Sequence, residues 1–165
     1  GVRGGISFND WVTLLKVGGI VGIVVAAAMF GRGSVSNFTE VSEKFVAMDG
    51  QQRLAAFGTS LIFGMFCYSG WNASAYVAAE MKTPSRDLPR SLLFGTAIVL
   101  ALYLGLNAVY FYGAPVSQLA GEAEVGLVAS RALFGPVGVT LVVSVLCVSI
   151  LASASAMTIA GPRVY

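Results

Sequence analysis

Between Leu92 and Tyr112 the chain runs for 21 residues without a charged side chain. At 1.5 Å per residue a helix of that length covers roughly 30 Å, the hydrocarbon thickness of a bilayer. That run sets the terms for the whole sequence, because a segment this long and apolar needs lipid or a large protein interior around it. The composition points to lipid. Of 165 residues 56% are hydrophobic and only 11% charged, with mean hydropathy +0.80, whereas soluble domains carry about 25% charged residues. The net charge of +2 is too small to suggest a nucleic-acid partner. There is no histidine, which removes the commonest metal ligand and general base. Cys67 and Cys147 sit inside apolar runs and read as small buried hydrophobes rather than a disulfide pair. No metal and no cofactor are expected.

Three further spans follow from the same criterion. Trp11 to Phe30 is long enough to cross, with a single charge at Lys16. From position alone that lysine is either a snorkelling side chain anchored beside Trp11 or a buried cation facing the bundle interior. Val137 to Ala160 carries Ser144, Ser149, Ser153, Ser155 and Thr158 along an otherwise apolar run, which suits close helix packing with hydroxyls bonded to their own backbone. The remaining span, 55–81, is expected to be broken at 69–72. The sequence predicts loops elsewhere: a polar start from Gly1 to Asp10, a water-exposed connector from Gly31 to Arg53 and a proline-bounded turn between Pro84 and Pro89. Phe45 to Met48 marks a short interfacial turn within the connector. Apolar residues at Val125, Val128, Ala129, Ala132 and Leu133 recur at helical spacing, predicting a short surface or re-entrant helix capped by Gly135-Pro136. No residue resembles a secretory leader, and both ends of the chain look cut, so a piece of a longer protein is expected.

Basic residues set the expected orientation. With four crossings, one side receives Arg3, Lys82, Arg86, Arg90 and Arg163 in short segments, and the other Arg32, Lys44, Arg53 and Arg131 among acidic neighbours. The positive-inside rule then puts residues 1–10, 82–91 and 161–165 in the cytoplasm.

The interruption at Tyr68-Ser69-Gly70-Trp71-Asn72 carries the chemistry. Hydrocarbon offers no water to backbone groups freed in mid-span, so broken helices persist there where they line a cavity or site. An unwound turn presents carbonyls to an ammonium group or cation, and the half-helix beyond it presents N–H groups to a carboxylate. A packing kink at a close helix crossing would explain the same residues without a site. Enzymatic readings lack support: no glycine-rich phosphate loop follows a strand, no carboxylates pair within a span, and a membrane serine hydrolase would have only Lys16 as its base.

The run FCYSGWNASAYVAAEMKTPSRDLPRSLL, from Phe66 to Leu93, closely resembles the sixth membrane helix and following loop of amino acid permeases of the amino acid–polyamine–organocation (APC) superfamily. The shared order is aromatic, small, Tyr, x, Gly-Trp, then a helix reaching Glu-x-x-x-Pro-x-Arg-x-x-Pro-Arg. Gly1-Val2-Arg3 with Lys16 resembles the start of helix 5, and SASAMTIAGPRVY the cytoplasmic end of helix 8. The resemblance implies an all-α, polytopic membrane protein: part of a leucine-transporter-like bundle, with about four transmembrane helices, one of them broken. It implies a secondary amino acid transporter of the plasma (inner) membrane, working by alternating access as proton symporter or exchanger. Its partners would be an amino acid substrate and the lipid bilayer, with oligomeric state left open.

Carried over residue by residue, the resemblance makes Phe66 the aromatic that closes over substrate. The carbonyls of Phe66, Cys67 and Ser69 would receive its ammonium group, Gly70 would keep the break open, and Asn72 would start the second half-helix. Lys16 matches a helix 5 lysine that occupies the ion region of sodium-coupled relatives, with Ser153 and Ser155 on the helix contributing to that region. Two departures stand out. Ala79 precedes Glu80 where many members have two acidic residues, and helix 1, which normally binds the substrate carboxylate, lies outside this sequence. Two other readings compete: a structural or interaction membrane protein whose break is only a packing kink, and a channel, which would need a charged ring or repeated carbonyl filter.

Overall fold

A computed structural model describes residues 2–71, 78, 81 and 83–160. Among these the chain is helical, with no strand. Four helices are long and apolar enough to cross a membrane, over Phe8–Phe30, Gly50–Trp71, Pro84–Gly113 and Pro136–Thr158. It is an all-α polytopic membrane protein. The described residues fall into two compact units, one of 2–40 with 101–160 and one within 41–100.

In the first unit, α1 spans Val2–Phe30. The polar start that reads as a loop is therefore helical from Val2. No proline interrupts Arg3 to Trp11, and extending an existing helix costs far less than nucleating one. After α1, Val35–Phe38 forms a 3₁₀ turn whose Ser34 side chain accepts from the Ser36 N–H. That turn is tied to the end of α4 (Pro84–Gly113). The Ser34 N–H and the Asn37 side-chain amide both donate to the Tyr112 carbonyl, at 2.9 and 3.2 Å. Tyr112 in turn donates its hydroxyl to the Gly31 carbonyl at 3.3 Å. Gly33 permits this approach, because a β-carbon there would collide with the Tyr112 carbonyl oxygen. Phe38 adds a tilted ring contact with Phe111, centroids 6.2 Å apart.

Beyond α4, a single turn α5 (Val116–Leu119) leads to α6 (Val125–Phe134) and α7 (Pro136–Ala160). The helix expected from the spacing of Val125 to Leu133 is α6, and it buries Ala129, Ser130 and Leu133. Gly135 ends it at φ 67°, a left-handed conformation that glycine adopts without a Cβ penalty, and Pro136 opens α7 in the first-turn position proline tolerates. Ala27, Val109 and Leu133 form the buried centre of this unit, flanked by Ile23, Val24, Tyr112 and Phe134. α1 and α7 pack antiparallel: Phe30 and Val137 line one end of their interface, Trp11 and Val148 the other. Gly19 is the point of closest approach, since a β-carbon there would lie 2.9 Å from Val145. The hydroxyls of Ser144, Ser149, Ser153 and Thr158 each donate to the carbonyl four residues back, at 2.7–3.0 Å.

In the second unit, α2 is a short helix over Glu43–Ala47, at the interfacial turn expected there, and α3 runs Gly50–Cys67. Asp49 caps α3 by accepting from the Gln52 N–H at 2.8 Å, while the Gln52 side chain accepts from the Asp49 N–H at 3.1 Å. This reciprocal box starts the helix inside the stretch read as connector. Arg53 lies over the Phe45 ring and donates to the Val46 carbonyl. No residue of α3 is buried. The proline-bounded stretch is not a turn but the start of α4. Pro84 takes the first helical position, Thr83 receives the Arg86 and Asp87 N–H groups, and Pro89 sits inside the helix. Only one intrahelical bond, to Ser85, is forgone there, and the first-turn N–H groups had no helical partner to lose.

Candidate functional site

The break expected at 69–72 falls at the edge of the described residues. α3 stops at Cys67, Tyr68 leaves helical geometry at φ −101°, ψ 8°, and Ser69–Trp71 form a 3₁₀ turn. Small and polar residues explain the stop. Ser69 competes for the helix backbone, its hydroxyl donating to the Phe66 carbonyl at 2.8 Å, and the Tyr68 N–H turns to Met65 at 3.1 Å, an i−3 bond. The Phe66 carbonyl thus accepts both from the Ser69 hydroxyl and from the Tyr68 N–H, which it shares with Met65. The Phe66 ring is 78% exposed. Cys67, Ser69, Gly70 and Trp71 are exposed as well. At Gly70 a β-carbon would meet nothing within 4 Å. Asn72 lies outside the described residues, as does most of the half-helix expected over 73–81.

The second group of expected site residues belongs to the first unit. Lys16 is half-buried on α1. Gly19 faces Val145, so the antiparallel register sets Lys16 level with Val148. Ser153 and Ser155 lie five and seven residues further along α7, about 7 and 10 Å along the axis. The Ser153 hydroxyl is exposed and bonded to the Ser149 carbonyl at 3.0 Å, while Ser155 is half-buried. The two serines thus sit one and a half to two turns beyond the lysine. No cluster of metal-ligating side chains occurs among the described residues.

Two features lay beyond the sequence reading. The cysteines, expected buried, are both exposed, on α3 and α7. Apolar sequence marks a residue as out of water without distinguishing a lipid-facing from a protein-facing position. The Asp49–Gln52 box went unread although Asp-x-x-Gln ahead of an apolar run is its signature.

Comparison with known proteins places these features in a family. All of the chain, residues 1–165, matches the model for the family described as amino acid permease. It is 29% identical over 165 residues to the serine/threonine exchanger SteT of Bacillus subtilis (strain 168), covering 97% of this chain and 36% of that protein. It is 27% identical over 136 residues to the b(0,+)-type amino acid transporter 1 of Oryctolagus cuniculus, covering 81% of this chain and 27% of the relative. A 72-residue match at 31% identity relates it to the Asc-type amino acid transporter 1 of Mus musculus, over 44% of this chain and 14% of that one. No solved structure matches the chain. The chain spans about a third or less of the length of these curated relatives. With a family match from first residue to last, the chain belongs to the amino acid permease family.

Proposed function

We propose that the protein to which this chain contributes is a secondary active amino acid transporter of the plasma (inner) membrane, working by alternating access. The break at Tyr68–Trp71, at the end of a 22-residue apolar span, carries the reading. An apolar helix that gives way to Ser69-Gly70 frees backbone groups that a ligand can use. The carbonyls of Phe66, Cys67 and Ser69 receive the substrate ammonium group. Phe66 closes over it, Gly70 keeps the turn open, and Asn72 begins the half-helix beyond. The sequence has no acidic residue between Phe57 and Ala79, which favours neutral over cationic substrates. The relatives named as a serine/threonine exchanger and as amino acid transporters support the substrate class, and the first supports exchange over proton symport.

Lys16, with Ser153 and Ser155, is assigned to the ion or proton-coupling region. Its position inside an apolar span favours a functional cation over a solvated one. Residues 1–10, 82–91 and 161–165 are placed on the cytoplasmic side. The test is uptake of radiolabelled amino acids by the intact protein in proteoliposomes, with and without a proton gradient, for wild type and Lys16→Ala. Loss of uptake, or of its response to the gradient, in the variant is the expected result. Undiminished uptake with unchanged pH dependence would remove Lys16 from the mechanism.

A further inference from the structure

Lys16 and the serines of α7 stand on different helices, and the packing of α1 on α7 sets the distance between them. Along α1, Lys16 belongs to the row Lys16, Ile20, Ile23 and Ala27, whose spacings of four, three and four keep to one face of a helix. That face is the inward one. Ala27 is 2% exposed, Ile23 packs against the buried centre, and Ile20 lines a small cavity with Val109 of α4, Ser130 of α6 and Val142 of α7. Lys16, half-buried, prolongs this row.

One turn along α1 from the lysine, Gly19 decides how near α7 can come. A β-carbon at 19 would lie 2.9 Å from one methyl of Val145 and 3.4 Å from the other. The shorter distance is half an ångström inside the 3.4 Å at which ordinary contact begins. Val145 is branched at its own β-carbon and stiff about χ1, so it does not swing clear, and the two helices would have to part. Ser153 and Ser155 stand about 7 and 10 Å beyond the lysine along the axis. The four-carbon stem of lysine has to cover both that offset and the gap between the helices. Any widening of the gap is therefore lost from the reach of the ammonium group.

We propose, resting on the coupling role given to Lys16 above, that Gly19 is a positioning residue for that lysine: its bare α-carbon lets α1 seat on Val145 and keeps the ammonium group within reach of the serines of α7. The test is uptake of radiolabelled amino acids by the intact permease in proteoliposomes, read as the ratio of initial rates with and without a proton gradient. Wild type, Lys16→Ala, Gly19→Ala, Val145→Ala and the pair Gly19→Ala/Val145→Ala are compared at matched protein levels. Damage to folding lowers both rates alike and leaves the ratio where it was, so the ratio reads coupling rather than stability. Gly19→Ala is expected to lower gradient-driven uptake about tenfold, the scale of a sub-ångström misplacement, and to bring the ratio close to that of Lys16→Ala. Val145→Ala alone is expected to keep the wild-type ratio. The pair is expected to recover it, because truncating Val145 removes the two methyls that the new β-carbon meets. A wild-type ratio in Gly19→Ala, or a pair as impaired as the single variant, would overturn the proposal and leave Lys16 its role. A ratio in Lys16→Ala equal to that of wild type would remove Lys16 from coupling, and the positioning role of Gly19 with it.

Discussion

The two units of this chain solve the problem of an apolar sequence in opposite ways. In the first, helices close on one another. Leu133 is only 2% exposed, Ala27 and Val109 are buried beside it, and glycines at 19, 33, 113 and 138 each stand where a β-carbon would press on a neighbour. In the second, α3 buries nothing, and its glycines at 50, 58, 64 and 70 stand in open space. The first unit owes its geometry to internal packing. The broken helix of the second owes its geometry to local hydrogen bonds at each end, the Asp49–Gln52 box and the Ser69–Phe66 bond. Glycine has a different job in each: it admits a neighbour in one and leaves a turn unobstructed in the other.

The contrast can be broken most forcefully at Leu133. Leu133→Ala removes the largest fully buried side chain from the first unit, and thermal denaturation of the intact protein in detergent is expected to show a loss of about 2–5 kcal/mol. Gly33→Ala comes next. The new methyl meets the Tyr112 carbonyl, a backbone atom that cannot swing aside, and a loss of about 1–3 kcal/mol is expected by the same measurement. Gly64→Ala, in open space on α3, should be neutral or stabilising, by up to about 1 kcal/mol. Equal losses at Gly33 and Gly64 would erase the distinction between the units. A local effect is expected from Asp49→Ala, a loss of about 1 kcal/mol. It should appear as faster amide hydrogen exchange confined to the first turn of α3, with α6 and α7 unchanged.

What the sequence makes legible follows the same divide. The stop at Cys67 could be read because small and polar residues after an apolar run have a local, sequence-borne effect on the backbone. α6 could be read from the spacing of Val125 to Leu133, since one face of that helix is buried and the other is not. Inside the long spans the pattern goes silent, because lipid-facing and protein-facing positions are equally apolar. That is why the exposure of Cys67 and Cys147, and the offset between Lys16 and the serines of α7, had to come from the structure. Prolines misled for a different reason. Pro84 and Pro89 mark a turn in most sequences, yet near a helix start only the second costs a bond, and α4 runs through both.

The claim on which the account turns is that the opening at Gly70 exists for a ligand. Gly64 is its natural control, an equally unobstructed glycine on the same helix six residues upstream. Initial rates of radiolabelled amino acid uptake by the intact permease in proteoliposomes should be compared for Gly70→Leu and Gly64→Leu at matched protein levels. The account predicts loss of uptake in Gly70→Leu with Gly64→Leu close to wild type. Uptake retained in Gly70→Leu would contradict it and leave the break as a feature of the backbone alone.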